Sequence, residues 1–145
     1  MLSLPRSVTI LLAADPIDLR KSIDGLSAIV RSEWKEDVYS GHLFTFVSRR
    51  GDRVKILTWD RGGFILYYKR LEQGRFRMPA VPKDALGIQL DATQLTMLLD
   101  GIDYSHVRRP KQWAPQTRQG AESLIYPSRW HRSPKTTTVR GAKKP

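Results

Sequence analysis

Between His42 and Leu71 the chain alternates strand-like apolar runs with glycine-marked breaks, and this punctuation limits the possible folds more than any other feature. His42-Leu43-Phe44-Thr45-Phe46-Val47, Val54-Lys55-Ile56-Leu57-Thr58-Trp59 and Phe64 to Leu71 are rich in β-branched and aromatic residues. Arg49-Arg50-Gly51-Asp52-Arg53 and Asp60-Arg61-Gly62-Gly63 separate them. Short runs with polar, glycine-bearing breaks read as an antiparallel meander. Glu72-Gln73-Gly74 leads into a short fourth run, Arg75 to Met78. The runs carry apolar residues on both faces, so the central strands are expected to be covered on both sides.

Helical signals flank the meander. Ser7 to Ala13 reads as a first strand. In Asp15-Pro16, Asp15 can cap a helix, Pro16 suits its first position and Asp18 favours its dipole. Leu19, Ile23, Leu26, Val30 and Trp34 follow at helical spacing, which predicts an amphipathic helix of about five turns. Gly25 interrupts it at a cost of about 1 kcal/mol relative to alanine, and so suggests a close approach by another element or a partner. Pro79, Pro82 and Gly87 mark a linker. Asp91 then caps a second helix, Ala92 to Asp100, with Gly101 ending it. The expected fold is α+β: a small twisted antiparallel sheet of about four or five strands, one long N-terminal helix packed on it, and a short second helix. Residues 1–113 are expected to form this domain and residues 114–145 a basic, flexible tail, with a short sticky segment at Leu124 to Trp130.

A chain of 145 residues can bury a core without staples. With no cysteine, disulfides and thiolate zinc sites are impossible. The apolar run Val8 to Ala14 is too short to span a bilayer, which points to the cytoplasm and away from membranes. The formal charge is +11 and is unevenly spread. From Ser105 onward, Glu122 is the one acid among many Lys and Arg. A second basic zone runs from Arg49 to Arg77, where Arg49, Arg50, Arg53, Lys55, Arg61, Lys69, Arg70, Arg75 and Arg77 face only Asp52, Asp60 and Glu72. Crowded like charge favours a polyanionic partner, and arginine forks suit phosphate oxygens. These nine residues are the candidate DNA contacts. Trp59, Phe64, Tyr67, Tyr68 and Phe76 lie among them; exposed aromatics on such a sheet could stack single-stranded bases, although Trp59 and Phe64 read better as core.

Signals for catalysis are weak. His42, His106 and His131 are scattered without metal-ligand spacing, Gly62-Gly63 reads as a turn rather than a phosphate loop, and no serine sits in a nucleophile elbow. Asp15 and Asp18 are explained as caps, Asp24 as an ion-pair partner of Arg20, and Asp60 as a turn residue. No metal, cofactor or small-molecule substrate is expected, and the chain is not expected to be an enzyme. A metal-dependent nuclease subunit using Asp18, Asp24 or Asp60 is the least favoured reading, and it requires those carboxylates to converge.

Five blocks of sequence carry a resemblance. They are Asp18-Leu19-Arg20-Lys21 with Ile23-Asp24-Gly25-Leu26; Ser40-Gly41-His42-Leu43-Phe44 with Phe46; Arg49-Arg50-Gly51-Asp52 with Lys55-Ile56-Leu57 and Trp59-Asp60; Tyr68-Lys69-Arg70-Leu71-Glu72 with Gly74-Arg75-Phe76; and Gln94-Leu95 with Met97-Leu98-Leu99 and Gly101-Ile102-Asp103. Over about residues 2–115 the chain resembles the TnpB accessory-protein family of IS-sixty-six-type insertion sequences, which is distinct from the RNA-guided nuclease of the same name. The resemblance implies an accessory factor for transposition, with the acidic catalytic residues in a separate transposase. It assigns no catalytic residue here. The expected partners are DNA at the element ends, held mainly by phosphate contacts, the transposase, and another accessory protein. The alternative is a pure protein–protein adaptor that docks through Arg20, Lys21, Asp24 and the notch at Gly25, without touching DNA.

Overall fold

The computed structural model describes residues 8–103 and 130–132. Its core is a six-stranded mixed sheet. The strands are β1 Ile10–Ala13, β2 Leu43–Val47, β3 Arg53–Asp60, β4 Gly63–Arg70, β5 Gly87–Leu90 and β6 Trp130–Arg132. Their order across the sheet is β4-β3-β2-β1-β5-β6. β2, β3 and β4 form the antiparallel meander. The β3–β4 hairpin turns through Arg61 (φ 33°) and Gly62 (φ 86°), and two positive φ angles in a two-residue loop match the twist of the flanking strands. β1 runs parallel to β2, and β6 parallel to β5.

The expected all-antiparallel sheet of four or five strands under one long helix is therefore corrected in several places. Helix α1 covers only Ile23–Ala28 and continues into a π-helical turn, Ile29–Glu33. The stretch from Asp15 to Ser22 is not helical because its backbone has other partners. The Ile17 N–H donates to the Val47 carbonyl, extending the sheet, and the Asp18 carboxylate accepts from the Arg20 N–H. A short polar side chain that bonds nearby backbone competes with helix formation. Leu19 still reaches the core, but from a loop. The run Arg75 to Met78 is not a strand, whereas Gly87–Leu90, read as linker, pairs with β1. β6 lies within the segment expected as tail.

Both faces of the sheet are covered. On one face α1 and the π-helical turn bury Leu26, Ile29, Val30 and Trp34 against Leu11, Phe44, Phe46 and Leu57. On the other, helix α2 (Ala92–Leu99) and the loop after β4 bury Leu95, Leu98 and Phe76 against Leu12, Val54 and Ile88. α2 begins with a capping box: Asp91 accepts from the Gln94 N–H, and the Gln94 side chain accepts from the Asp91 N–H. Gly101 closes it at φ 74°. Gly87 is required by packing, since a Cβ there would collide with the Leu12 carbonyl and come within 2.6 Å of the Trp130 ring. No helix among the described residues is long and apolar enough to cross a membrane.

Candidate nucleic-acid interface

The parallel strands β1 and β2 end side by side, and the chain leaves both at the same end of the sheet. Ala14-Asp15-Pro16 follows β1, and Ser48-Arg49-Arg50-Gly51 follows β2. The second segment is a tight turn. The Gly51 N–H donates to the Ser48 carbonyl at 2.9 Å, and Gly51 takes φ 77°. The Ser48 hydroxyl donates to Asp52 and accepts from the Arg53 N–H, which fixes the turn from inside. The loop after β4 is tied on by two bonds, from the Leu71 N–H to the Asp52 carbonyl and from the Phe76 N–H to the Gly51 carbonyl, each 2.7 Å. The aliphatic stem of Arg75 packs over Gly51.

These three segments enclose a cleft of about 270 Å³. Arg49, Arg50 and Arg75 line it together with Asp15, and Val47, Phe76 and Val81 supply apolar surface. Among the described residues Arg49, Arg50, Arg75 and Arg77 have no carboxylate within salt-bridge distance. Four other arginines do have one. Arg20 pairs with Asp18 at 2.7 Å, Arg53 with Asp52 at 4.0 Å, Arg61 with Asp60 at 3.9 Å and Arg70 with Glu72 at 2.9 Å. The hydrogen bonds from Arg20 hold the Asp18 carboxyl well below the usual carboxylate range, and the positive field of Arg49 adds to this.

The structure divides the nine basic residues singled out from sequence. Arg49, Arg50, Arg53, Arg70, Arg75 and Arg77 gather at the end of the sheet that carries the cleft. Arg61 sits at the opposite hairpin tip, about 23 Å away at roughly 3.3 Å per residue along β3. Lys55 is buried: its ammonium donates to the Lys21 carbonyl at 2.9 Å and lies 5.1 Å from the Tyr68 ring centroid. Lys69 donates to the Leu99 carbonyl at 2.6 Å, where a cation suits the C-terminus of α2. Both lysines therefore have structural partners. Trp59 and Phe64 pack on Tyr39 near the far tip, whereas Tyr67 and Tyr68 are about half exposed on opposite faces of β4.

The candidate docking set lies at the start of α1. Arg20 and Lys21 are exposed on the preceding loop, and Asp24 is exposed in the first helical turn. Arg20 bonds Asp18 rather than Asp24, because a residue outside the helix has no i,i+4 neighbour. The close approach inferred at Gly25 comes from the Lys21 side chain, whose Cβ would lie 3.1 Å from a Cβ at Gly25. Among the described residues no group of three or more His, Asp or Glu is placed to hold a metal ion. The apolar cleft was not foreseen from sequence. Its one local trace is the arginine next to Phe76, and the residues that shape it come from three separate stretches.

A profile of the family described as "IS66 Orf2 like protein" matches residues 8–109. The chain is 36% identical over 109 residues to the uncharacterized protein y4jC of Sinorhizobium fredii, covering 75% of this chain and 92% of that one. It is 33% identical over 115 residues to the uncharacterized protein y4hO of the same organism, covering 79% and 96% respectively. No solved structure matches the chain.

Proposed function

From the premise that this chain belongs to the IS66 Orf2-like family, and is thus an insertion-sequence-associated accessory protein, we propose that it serves transposition by holding DNA phosphates at the arginine-rich end of its sheet. One observation carries this reading. Guanidiniums without a carboxylate partner among the described residues, those of Arg49, Arg50 and Arg75, line a single cleft, while Arg20, Arg53, Arg61 and Arg70 each lie within 4.0 Å of a carboxylate. Three cations around one carboxylate, Asp15, leave the cleft net positive, which is unfavourable for the free protein, and a phosphate backbone relieves it. Phosphate contacts position a protein on DNA without reading sequence. The contact set is Arg49, Arg50, Arg75 and Arg77, with Arg53 and Arg70 at its border. A DNA complex held this way would present the element ends to the transposase and its other accessory protein.

The test is DNA binding by the whole chain, wild type against an Arg49/Arg50/Arg75→Ala triple variant, by fluorescence anisotropy across salt concentrations. Each duplex phosphate contact contributes a slope of about −0.9 in log K against log salt. Removal of three contacts should flatten the slope by about 2.7 and lower affinity roughly 500-fold at 0.1 M salt. An unchanged slope would refute the reading. Absence of binding by the wild type would move the proposal to the adaptor role, with Arg20, Lys21, Asp24 and Gly25 as the docking surface.

A further inference from the structure

The arginine-lined cleft is amphiphilic, which a surface that grips only phosphates does not require. At about 270 Å³ it is slightly smaller than the roughly 300–1,000 Å³ common for sites that take whole drug-sized ligands. Its guanidiniums stand beside an apolar wall of Met78, Pro79 and Val81, over a floor of the buried Val47 and Phe76. Asp15, exposed at the end of β1, also lines it. The cleft sits beyond the carboxyl ends of two adjacent parallel strands, the end of the strands at which open α/β sheets receive ligands.

We propose that this cleft receives one unpaired nucleotide of a DNA strand, with its phosphate on Arg49, Arg50 and Arg75 and its base against the apolar wall of Met78, Pro79 and Val81. The inference rests on the DNA-binding reading above and narrows it to single-stranded or locally opened DNA. Each part of the lining has a counterpart in that ligand. Three cationic forks suit phosphate oxygens. The apolar wall suits the flat face of a base, which stacks or packs without regard to sequence. The Asp15 carboxylate can accept a ring N–H or an amine from the base edge, but it would repel a second phosphate. A bare inorganic anion gains only the first of these contacts. A stacked base in a duplex cannot enter a cleft of this size without being unpaired, so duplex DNA is left with the arginines alone.

The experiment uses the full chain and two variants that keep every arginine but fill the cleft, Ala14→Phe and Val81→Trp. Both positions line the cleft from half-buried sites. Anisotropy is measured with a labelled single-stranded oligonucleotide and with the corresponding duplex, and far-UV circular dichroism checks that each variant folds. In parallel, the wild type is titrated with deoxycytidine monophosphate, and separately with inorganic phosphate, while amide NMR shifts are followed. The expected result is at least a tenfold loss of single-strand affinity in a folded filled variant, with duplex affinity within twofold of wild type. The nucleotide should shift amides in Ser48–Gly51 and Arg75–Val81 at concentrations where phosphate does not. Equal single-strand binding by folded filled variants would overturn the cleft proposal and leave the phosphate-contact reading standing. If neither variant folds, the titration decides: no selective shift with the nucleotide overturns the proposal. A wild type that binds neither DNA form overturns both readings.

Discussion

Replacement of Trp130 tests whether the C-terminal strand is part of the folded unit. Trp130 is 4% exposed. Its ring meets Trp34 edge-on, with centroids 5.0 Å apart at 82°, and its Nε1 donates to the Glu36 carboxylate at 3.1 Å. Its strand pairs with β5 at Gly87, the one position in that strand with no side chain to displace the ring. An aromatic side chain of this kind buries roughly 150–250 Å². At about 25 cal/mol per Å² that amounts to roughly 4–6 kcal/mol. An unfolded chain already hides roughly 10–40% of such area, which lowers the figure to about 2–5 kcal/mol. Trp→Ala changes in cores cost about the same, roughly 3–5 kcal/mol. Trp130→Phe keeps most of the ring and loses the N–H; Glu36 is only half-buried and can rehydrate, so about 1–2 kcal/mol is expected. Urea unfolding of the whole chain, followed by circular dichroism, measures both. A loss below about 1 kcal/mol for Trp130→Ala would refute the packing argument, since no folded core leaves a buried indole so cheap to remove.

Three further outcomes follow from the packing and the polar groups. Gly87→Ala should destabilise the protein by more than about 3 kcal/mol or displace β6, because the new methyl meets the Leu12 carbonyl and the Trp130 ring; the same urea titration reads it. Asp91→Ala should cost about 0.5–2 kcal/mol by removing the capping box of α2, and Asp91→Asn should recover much of that loss. His42 accepts the Thr9 N–H at Nδ1, and burial pushes its pKa below the ordinary 6.5 despite the opposing fields of Glu36 and Asp37. The unfolded chain therefore takes up this proton first. Its contribution to stability is full above pH 6.5 and is lost as the pH falls through the window between 6.5 and the lower folded value. The urea midpoint of the wild type should decline through that window, and His42→Asn should flatten the decline.

Some of this protein was fixed by signals that act over a few residues. Asp91 caps α2 by bonding a residue three positions on, and Gly101 lies just past the Asp100 C-cap, so both were legible, although the reciprocal bond from Gln94 was not read. The β3–β4 hairpin was legible too, because Arg61-Gly62 is a two-residue loop between strand-forming runs. The basic character of the Arg49–Arg77 region could also be read from composition alone. Tertiary structure decided the remainder, because the groups concerned find partners far along the chain. The spacing from Leu19 to Trp34 predicted one long helix, but the Ile17 N–H bonds Val47, Leu19 lies in a loop and the helix starts only at Ile23. Nothing local marks Gly87–Leu90 as a strand; it becomes one because β1 leaves an edge that needs pairing. Lys55 and Lys69 look like their arginine neighbours in sequence, but distant carbonyls, those of Lys21 and Leu99, take their protons. The cleft is the clearest case. Its arginines could be counted from the sequence, but their convergence beside an apolar wall depends on a parallel β1–β2 pair whose members lie thirty-three positions apart in register. Residue type sets what a side chain can bind, and only the long-range backbone pairing sets which side chains are left free to bind it.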